Sequence, residues 1–330
     1  MKFSLIVCTY MRPKAIVTLL NSVKEQTLYP DEIIIVDGSV DTNTQELFLS
    51  KSFKNLNYFL VEEEQRGLTK QRNFGISKVA EHSEIICFLD DDIVLDSNYF
   101  EELIKTYTKF PNAMAVGGYA TNEIVWNKNV SNLSNKYYVF DGFARKESSR
   151  FKLRNKLGLL DNTLPGFMPT FSHGRSVSFL PPSGKTYEIE QIMGGISSYR
   201  KEIFSKMSFS TYFEGYGLYE DADFSLRLAK KGKIYLNTNA KVEHHHATEG
   251  RPNKFKYGKM VIRNGWYVWH VKYPKPTLNA RLKWNLTSLV LTVIRASNIV
   301  TTSEKKEAFT ETLGRVVGWF SLIFNKPKVK

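Results

Sequence analysis

The sequence predicts an α/β fold: one α/β/α sandwich around a mostly parallel central sheet, with a helical extension at the C-terminus. Three observations predict it. Short apolar runs of strand length alternate with helix-patterned stretches through the first 115 residues. Each of those strands is continuously apolar, as suits a sheet covered on both faces. The basic excess is gathered at one end, because residues 251–330 hold sixteen Lys and Arg against Glu304, Glu307 and Glu311, whereas residues 1–250 carry thirty of each sign.

Residues 3–8 (FSLIVC) read as a first strand, closed by TYMRP and followed by a helical pattern of Ala15, Ile16, Leu19, Leu20 and Val23. DEIIIVDGS at 31–39 reads as a second buried strand ended by a Gly-Ser turn, 41–51 as a helix, and NLNYFLVEEE as holding a third strand. A helix is expected from Thr69 to Val79, and EIICFL is a fourth strand that runs into Asp90, Asp91 and Asp92. AMAVGGYAT looks like another strand. Residues 125–190 are rich in Asn, Ser, Gly, Pro and aromatics with weak periodicity, and are expected to be long loops over a site. IMGGISSYRKEIF returns to order, and YEDADFSLRLAKKGKIYLNTNAKVEHHH reads as a helix stopped at Gly232, then a strand running into three histidines. The expected division is one domain over 1–250, in halves 1–115 and 116–250, and a basic amphipathic helical region over 251–330.

Hydrophobic residues make up 42% and charged residues 24% of the chain, which excludes a disordered protein. Cys8 and Cys87 both fall inside strands and are expected to be reduced core residues. MKFSLIVCTY shows no long apolar region with a cleavage site, so a cytoplasmic protein is expected. In the tail, basic residues alternate with GWYVWHVKYP, LTSLVLTVI and VVGWFSLIF. That mixture favours an anionic membrane surface over nucleic acid, and equally suits a basic helical subdomain packed on the core or used for oligomerisation. Arg295 and Arg315 interrupt the best runs, so none reaches the roughly 18 to 20 uncharged apolar residues of a spanning helix.

Ligands of parallel sheets gather at the carboxyl ends of the strands. Thr9 and Tyr10, Asp37, and Asp90 to Asp92 stand at three such ends. On an extended chain Asp90 and Asp92 project to one side and Asp91 to the other. Two hard oxygen ligands at that spacing suit Mg²⁺ or Mn²⁺, although a solvated strand end or a helix cap would look the same. His244, His245 and His246 offer imidazoles to the same ion, or form an exposed loop. Glu220, Asp221 and Asp223 stand at a helix start, where acids favour the macrodipole and where a general base could also lie.

The ordered set SLIVCTYMRP, PDEIIIVDGSVD, RGLTKQRNFGI, EIICFLDDDIVLD, GGISSYRKEIF, YEDADFSLRLAKKG and AKVEHHH resembles glycosyltransferase family 2, inverting transferases of the GT-A fold, over roughly residues 1 to 275. The resemblance implies a nucleotide-binding sandwich that takes a nucleotide-diphosphate sugar, UDP- or dTDP-linked, and a glycan or lipid-linked glycan acceptor. It implies that Thr9, Tyr10 and Arg12 line the nucleotide site and that Asp37 accepts from the base. The segment DGSVD is one residue shorter than the frequent family pattern. Lys70, Arg72 and Asn73 match the segment that approaches ribose and diphosphate. Asp90 and Asp92 match the metal pair, Asp91 the sugar side, and His244 the later metal ligand, with His246 competing. Asp221 matches the catalytic base, flanked by Glu220 and Asp223, and Gly194 and Gly195 the segment beneath the sugars. The implied cofactor is Mn²⁺ or Mg²⁺.

Two other readings compete. A sugar-phosphate nucleotidyltransferase should show a glycine-rich basic loop after the first strand, where this chain has TYMRP. A non-enzymatic module binding nucleic acid or polysaccharide predicts salt-sensitive binding and tolerance of Asp92→Ala and Asp221→Ala.

Overall fold

The computed structural model describes residues 1–128, 136–245 and 252–329. Among them the chain runs β1 (Phe3–Thr9), α1 (Pro13–Lys24), β2 (Glu32–Asp37), α2 (Asn43–Ser50), β3 (Leu56–Leu60), α3 (Leu68–Lys78), β4 (Ile85–Asp90), β5 (Ile93–Leu95), α4 (Tyr99–Lys109) and β6 (Ala113–Ala120). It continues through β7 (Asn127–Lys128), β8 (Tyr137–Phe140), β9 (Phe143–Lys146), α5 (Ser149–Lys156), β10 (Thr186–Ile189), β11 (Ile196–Arg200), α6 (Glu220–Ala229) and β12 (Lys233–His244). Three long helices follow: α7 (Lys254–Lys272), α8 (Leu278–Thr301) and α9 (Lys305–Phe324).

The large sheet has the order β10-β12-β6-β11-β4-β1-β2-β3, with β5 pairing β12. β3, β2, β1 and β4 are parallel neighbours, and β12 is parallel to β6. β11 enters antiparallel between β4 and β6. The expected mostly parallel sheet is therefore present, with β11 reversed at its centre and β10 and β5 antiparallel to β12. Ile33 to Val36 and Leu5 to Val7 are fully buried, the pattern of strands covered on both faces. Pro13 starts α1 without losing a needed donor, and Ile16, Leu19, Leu20 and Val23 then bury one helical stripe.

A second buried cluster stacks Phe204, Phe209 and Phe224 against Phe88 and Tyr199, with Phe209 and Phe224 at 4.4 Å between centroids. Each such ring contributes about 1.5–3 kcal/mol by burial. The cluster joins β4 and β11 to α6, so it holds the carboxyl end of β4 beside the start of α6.

Two compact units emerge from the packing: Met1–Val125 with the described part of Leu180–Gly250, and Trp126–Phe179 with the described part of Arg251–Lys330. Residues 126–179, assigned from the sequence to the second half of a 1–250 domain, pack with the C-terminal helices. The expectation of long loops over 125–190 holds between Lys156 and Thr186, where the one regular element is a short 3-10 turn at Val177–Phe179, and is corrected on either side of it. The flanking segments hold an antiparallel sheet of order β7-β9-β8, helix α5 and the strand β10. These strands are four residues or shorter, too brief to show a period. Rings and guanidinium groups hold the small sheet: Arg145 lies 4.0 Å from the Phe179 centroid and Arg175 lies 4.4 Å from that of Tyr138.

In the same unit α7 and α9 cross with their backbones in contact. A Cβ on Gly258 would overlap the Glu311 carbonyl, and one on Gly314 would overlap that of Phe255.

Candidate active site

The carboxyl end of β4 delivers Asp90, and the turn before β5 delivers Asp92. β5 then runs antiparallel to the end of β12, setting His244 opposite Ile93, and the His245 amide donates to the Asp92 carbonyl at 2.9 Å. This pairing joins residues about 150 positions apart in sequence. Asp90, Asp92 and His244 each offer a ligand atom, all within 4.8 Å of one another.

His244 is held on both sides. Its Nε2 lies 3.3 Å from Asp92 and its Nδ1 lies 2.9 Å from Glu123. Its amide donates to the Asn122 side chain at 2.9 Å, and its carbonyl accepts from the same side chain at 3.0 Å. Burial pulls the imidazole pKa down, but the hydrogen bonds to Asp92 and Glu123 outweigh it and raise the pKa to about 10. A proton on the ring and a dication beside it are alternative ways to neutralise these acids.

Asp91 turns inward. Its carboxylate accepts from the Thr9 hydroxyl at 2.7 Å and from Arg12 at 2.9 Å, and Arg12 reaches Asp92 at 3.9 Å. Burial is the larger influence on Asp91 and lifts its pKa to about 6, against the pull of Arg12 and Thr9. Tyr10, which follows Thr9, is exposed. Asp37 is fully buried, accepting from the Ser39 amide at 2.8 Å and the Tyr58 hydroxyl at 2.7 Å. Gln71 ties these strand ends together, donating to the Thr9 carbonyl at 3.0 Å and the Val36 carbonyl at 2.9 Å.

α6 begins at Tyr219, whose φ of 70° lies in the left-handed region, and its first turn carries the acids. Asp221 accepts from the Gly194 amide at 3.2 Å and the Ala222 amide at 2.7 Å. Burial raises its pKa, and those two amides partly offset the rise. Glu220 is buried against Arg72, and burial carries its pKa to about 8 despite that guanidinium. Gly194 and Gly195 separate the two halves of the site by one residue. A Cβ on Gly194 would come within 2.7 Å of Glu220 and 3.1 Å of the Asp221 Cβ, and one on Gly195 would overlap the Asp90 carboxylate.

Several residues expected at the site have partners within the protein. Arg72 is 2% exposed, sandwiched between the Phe88 and Phe209 rings, paired with Glu220 and 3.5 Å from Asp90. It underlies the acids as a strut. The Asn73 amide donates to the Phe209 carbonyl and accepts from the Phe209 amide, which occupies it in joining α3 to the aromatic cluster. Lys70 lies 3.7 Å from Glu214. Asp223 is fully buried and paired with Arg227 at 2.6 Å, one turn along α6. His245 is exposed and pairs with Glu243 at 3.1 Å, and His246 lies outside the described residues.

Glu123, Asn122 and Gln71 did not emerge from the sequence reading. Gln71 stands between Lys70 and Arg72 in RGLTKQRNFGI, so its signal is local. Glu123 and Asn122 carry no local signal, because their partner is 121 and 122 residues away.

A mostly parallel sheet with a carboxylate–histidine cluster at its carboxyl edge defines a GT-A fold with a site suited to a hard dication. The chain belongs to glycosyl transferase family 2, whose family model matches residues 4–179. It is 31% identical over 119 residues to the O-antigen chain rhamnosyltransferase RfbN of Salmonella typhimurium, and 32% identical over 123 residues to the glucosyl-dolichyl phosphate glucuronosyltransferase of Haloferax volcanii. Each match takes in 36% of this chain, and 37% and 38% of the relatives' own lengths respectively. The fold is similar to that of GalNAc-T7 solved with UDP, GalNAc and Mn²⁺, at a TM-score of 0.52 and 14% identity, over 90% of this chain and 57% of that one.

Proposed function

We propose that this protein is an inverting glycosyltransferase that moves a sugar from a UDP- or dTDP-sugar to a hydroxyl of a glycan or lipid-linked glycan in cell-surface polysaccharide synthesis, at the cytoplasmic side of the membrane. The observation that carries the reading is the pairing of a candidate cation-binding cluster, Asp90, Asp92 and His244, with a half-buried carboxylate, Asp221, through the adjacent residues Gly194 and Gly195. The relatives' names support the acceptor class, one naming the O-antigen chain and the other glucosyl-dolichyl phosphate. GalNAc-T7, of the same fold, was solved with UDP and Mn²⁺, which supports the donor and metal class.

The residues present fit a divalent cation. Two hard oxygen ligands and one imidazole converge, and Glu123 on the second ring nitrogen is the outer partner such a histidine ordinarily has. Asp90, Asp92 and His244 would hold Mn²⁺ or Mg²⁺, which when bound supplies charge neutralisation for a diphosphate leaving group.

The chain's own groups do the rest. Asp221, fixed by the Gly194 and Ala222 amides, takes the proton of the acceptor hydroxyl as that oxygen attacks the anomeric carbon from the face opposite the leaving group. A single displacement inverts the configuration. Burial makes Asp221 a stronger base than a solvated aspartate, the Asp90 charge adds to that rise, and Arg72 partly offsets it. Thr9, Arg12 and Asp37 form the nucleotide edge, with Asp91 holding the Thr9–Arg12 loop in place.

The test is transfer from a panel of UDP- and dTDP-sugars with Mn²⁺, read as release of nucleoside diphosphate and as the anomeric configuration of the product. A retained configuration, or activity unaffected by Asp221→Asn, would sink this mechanism.

A further inference from the structure

The helices α8 and α9 leave large apolar side chains in solvent. On α8 these are Leu278, Leu282, Leu286, Leu289, Val293 and Val300, and on α9 the most exposed are Phe309, Leu313, Phe320, Ile323 and Phe324. At 100° per residue the first set falls within an arc of about 80° and the second within about 100°, so each forms one stripe. Val293 is 58% exposed, Phe320 52% and Ile323 64%, too open for a seam that the unit itself covers.

The two stripes share a side. α8 and α9 run antiparallel along a seam marked by Trp319 donating to Asn285 at 2.8 Å and by Arg295 paired with Glu311 at 2.8 Å. α7 lies across the face of α9 that carries Gly314. Phe309 and Phe320 project away from Gly314, and the sense of rotation in an antiparallel pair turns the Leu282–Val293 stripe to that same outer side.

The charge around this face has one sign in excess. Lys305 and Lys306 are exposed at the end where α8 turns into α9, and Arg281, Lys326 and Lys328 are exposed toward the other. Of the three acids in residues 251–330, Glu311 is buried between Arg295 and Arg315 and Glu307 pairs with Lys254, which leaves Glu304. A second copy would bring the same cations against these. No helix among the described residues is long and apolar enough to cross a membrane.

We propose that the outer face of the α8–α9 hairpin lies flat on an anionic lipid surface, with its leucines and phenylalanines at the acyl boundary and its lysines among the headgroups. This surface is separate from the donor and acceptor chemistry proposed above and does not depend on it.

The experiment is flotation of the full chain with vesicles of phosphatidylcholine alone and of phosphatidylcholine with phosphatidylglycerol. The chain should float with the anionic vesicles only, and raised salt should weaken the association. Leu282→Glu with Phe320→Glu should abolish flotation, while a thermal melt shows that these exposed positions leave the fold intact. Lys305→Gln and Lys306→Gln should each lower vesicle partitioning by about fivefold. No flotation with anionic vesicles would overturn the proposal, as would equal flotation with both vesicle types. A lipid-free dimer dissolved by Phe320→Glu, with no flotation, would assign the face to a second copy instead. Transfer to a water-soluble acceptor, measured on the same variants, should be unchanged, so failure here and failure of the transferase reading are told apart.

Discussion

The Asp90 amide donates to the Gly195 carbonyl at 3.0 Å, and a Cβ on Gly195 would overlap the Asp90 carboxylate. β4 and β11 thus meet with no room for a side chain where the first metal-type ligand leaves the sheet. Gly195→Ala should displace that carboxylate, costing about 1–3 kcal/mol of stability as overpacking does. It should also remove Mn²⁺ binding measured by calorimetry. A variant that binds Mn²⁺ as the parent does would show that Asp90 is not a ligand.

Glu123 faces the Nδ1 of His244 and orients the ring toward Asp92. Glu123→Gln should weaken Mn²⁺ affinity by roughly 10–100-fold, the usual cost of losing such an outer partner. Donor affinity measured without metal should not change.

Asp221→Asn keeps the shape of the side chain and removes the base. Turnover should fall by about 10²–10⁴-fold with the KM for the donor little altered. An equal fall in donor binding would mean that Asp221 holds the donor instead.

Arg72 is buried between two acids and two rings. Arg72→Met should destabilise the protein by about 3–5 kcal/mol in urea unfolding, because Glu220 is left buried without its cation. Adding Glu220→Leu should recover part of that loss, which a purely packing role for Arg72 would not allow.

Burial, and then Arg154, Arg150 and Arg315, lower the pKa of His173 from 6.5 to about 4. The folded protein therefore prefers the neutral ring, and the unfolded chain binds the extra proton first. The stabilisation is complete above pH 6.5 and is lost as the pH falls toward 4. His173→Gln should flatten the fall of the urea midpoint across that window. An unchanged slope would count against the shift.

Much of the architecture was legible in the sequence because it is local. The runs at 5–8, 33–36 and 85–89 are apolar throughout, and α1 shows its stripe at Ile16, Leu19, Leu20 and Val23. The acids were legible because they stand at strand ends and at a helix start. The sheet at 126–146 was not, since strands of two to four residues carry no period and are held by stacked arginines.

By itself the sequence determined the alternation of strands and helices, the acids at the strand ends, and the basic, apolar-patched tail. Only the tertiary structure decided which polar groups gather at the strand ends and which are paired inside the protein. Arg72, Asn73 and Asp223 share motifs with site residues yet are satisfied inside, by Glu220, by the Phe209 backbone and by Arg227. The physical reason is that a buried charge or amide must find its partner wherever the fold brings one, and those partners lie up to 148 residues away. The same holds for His244, whose place beside Asp92 follows from the pairing of β5 with β12.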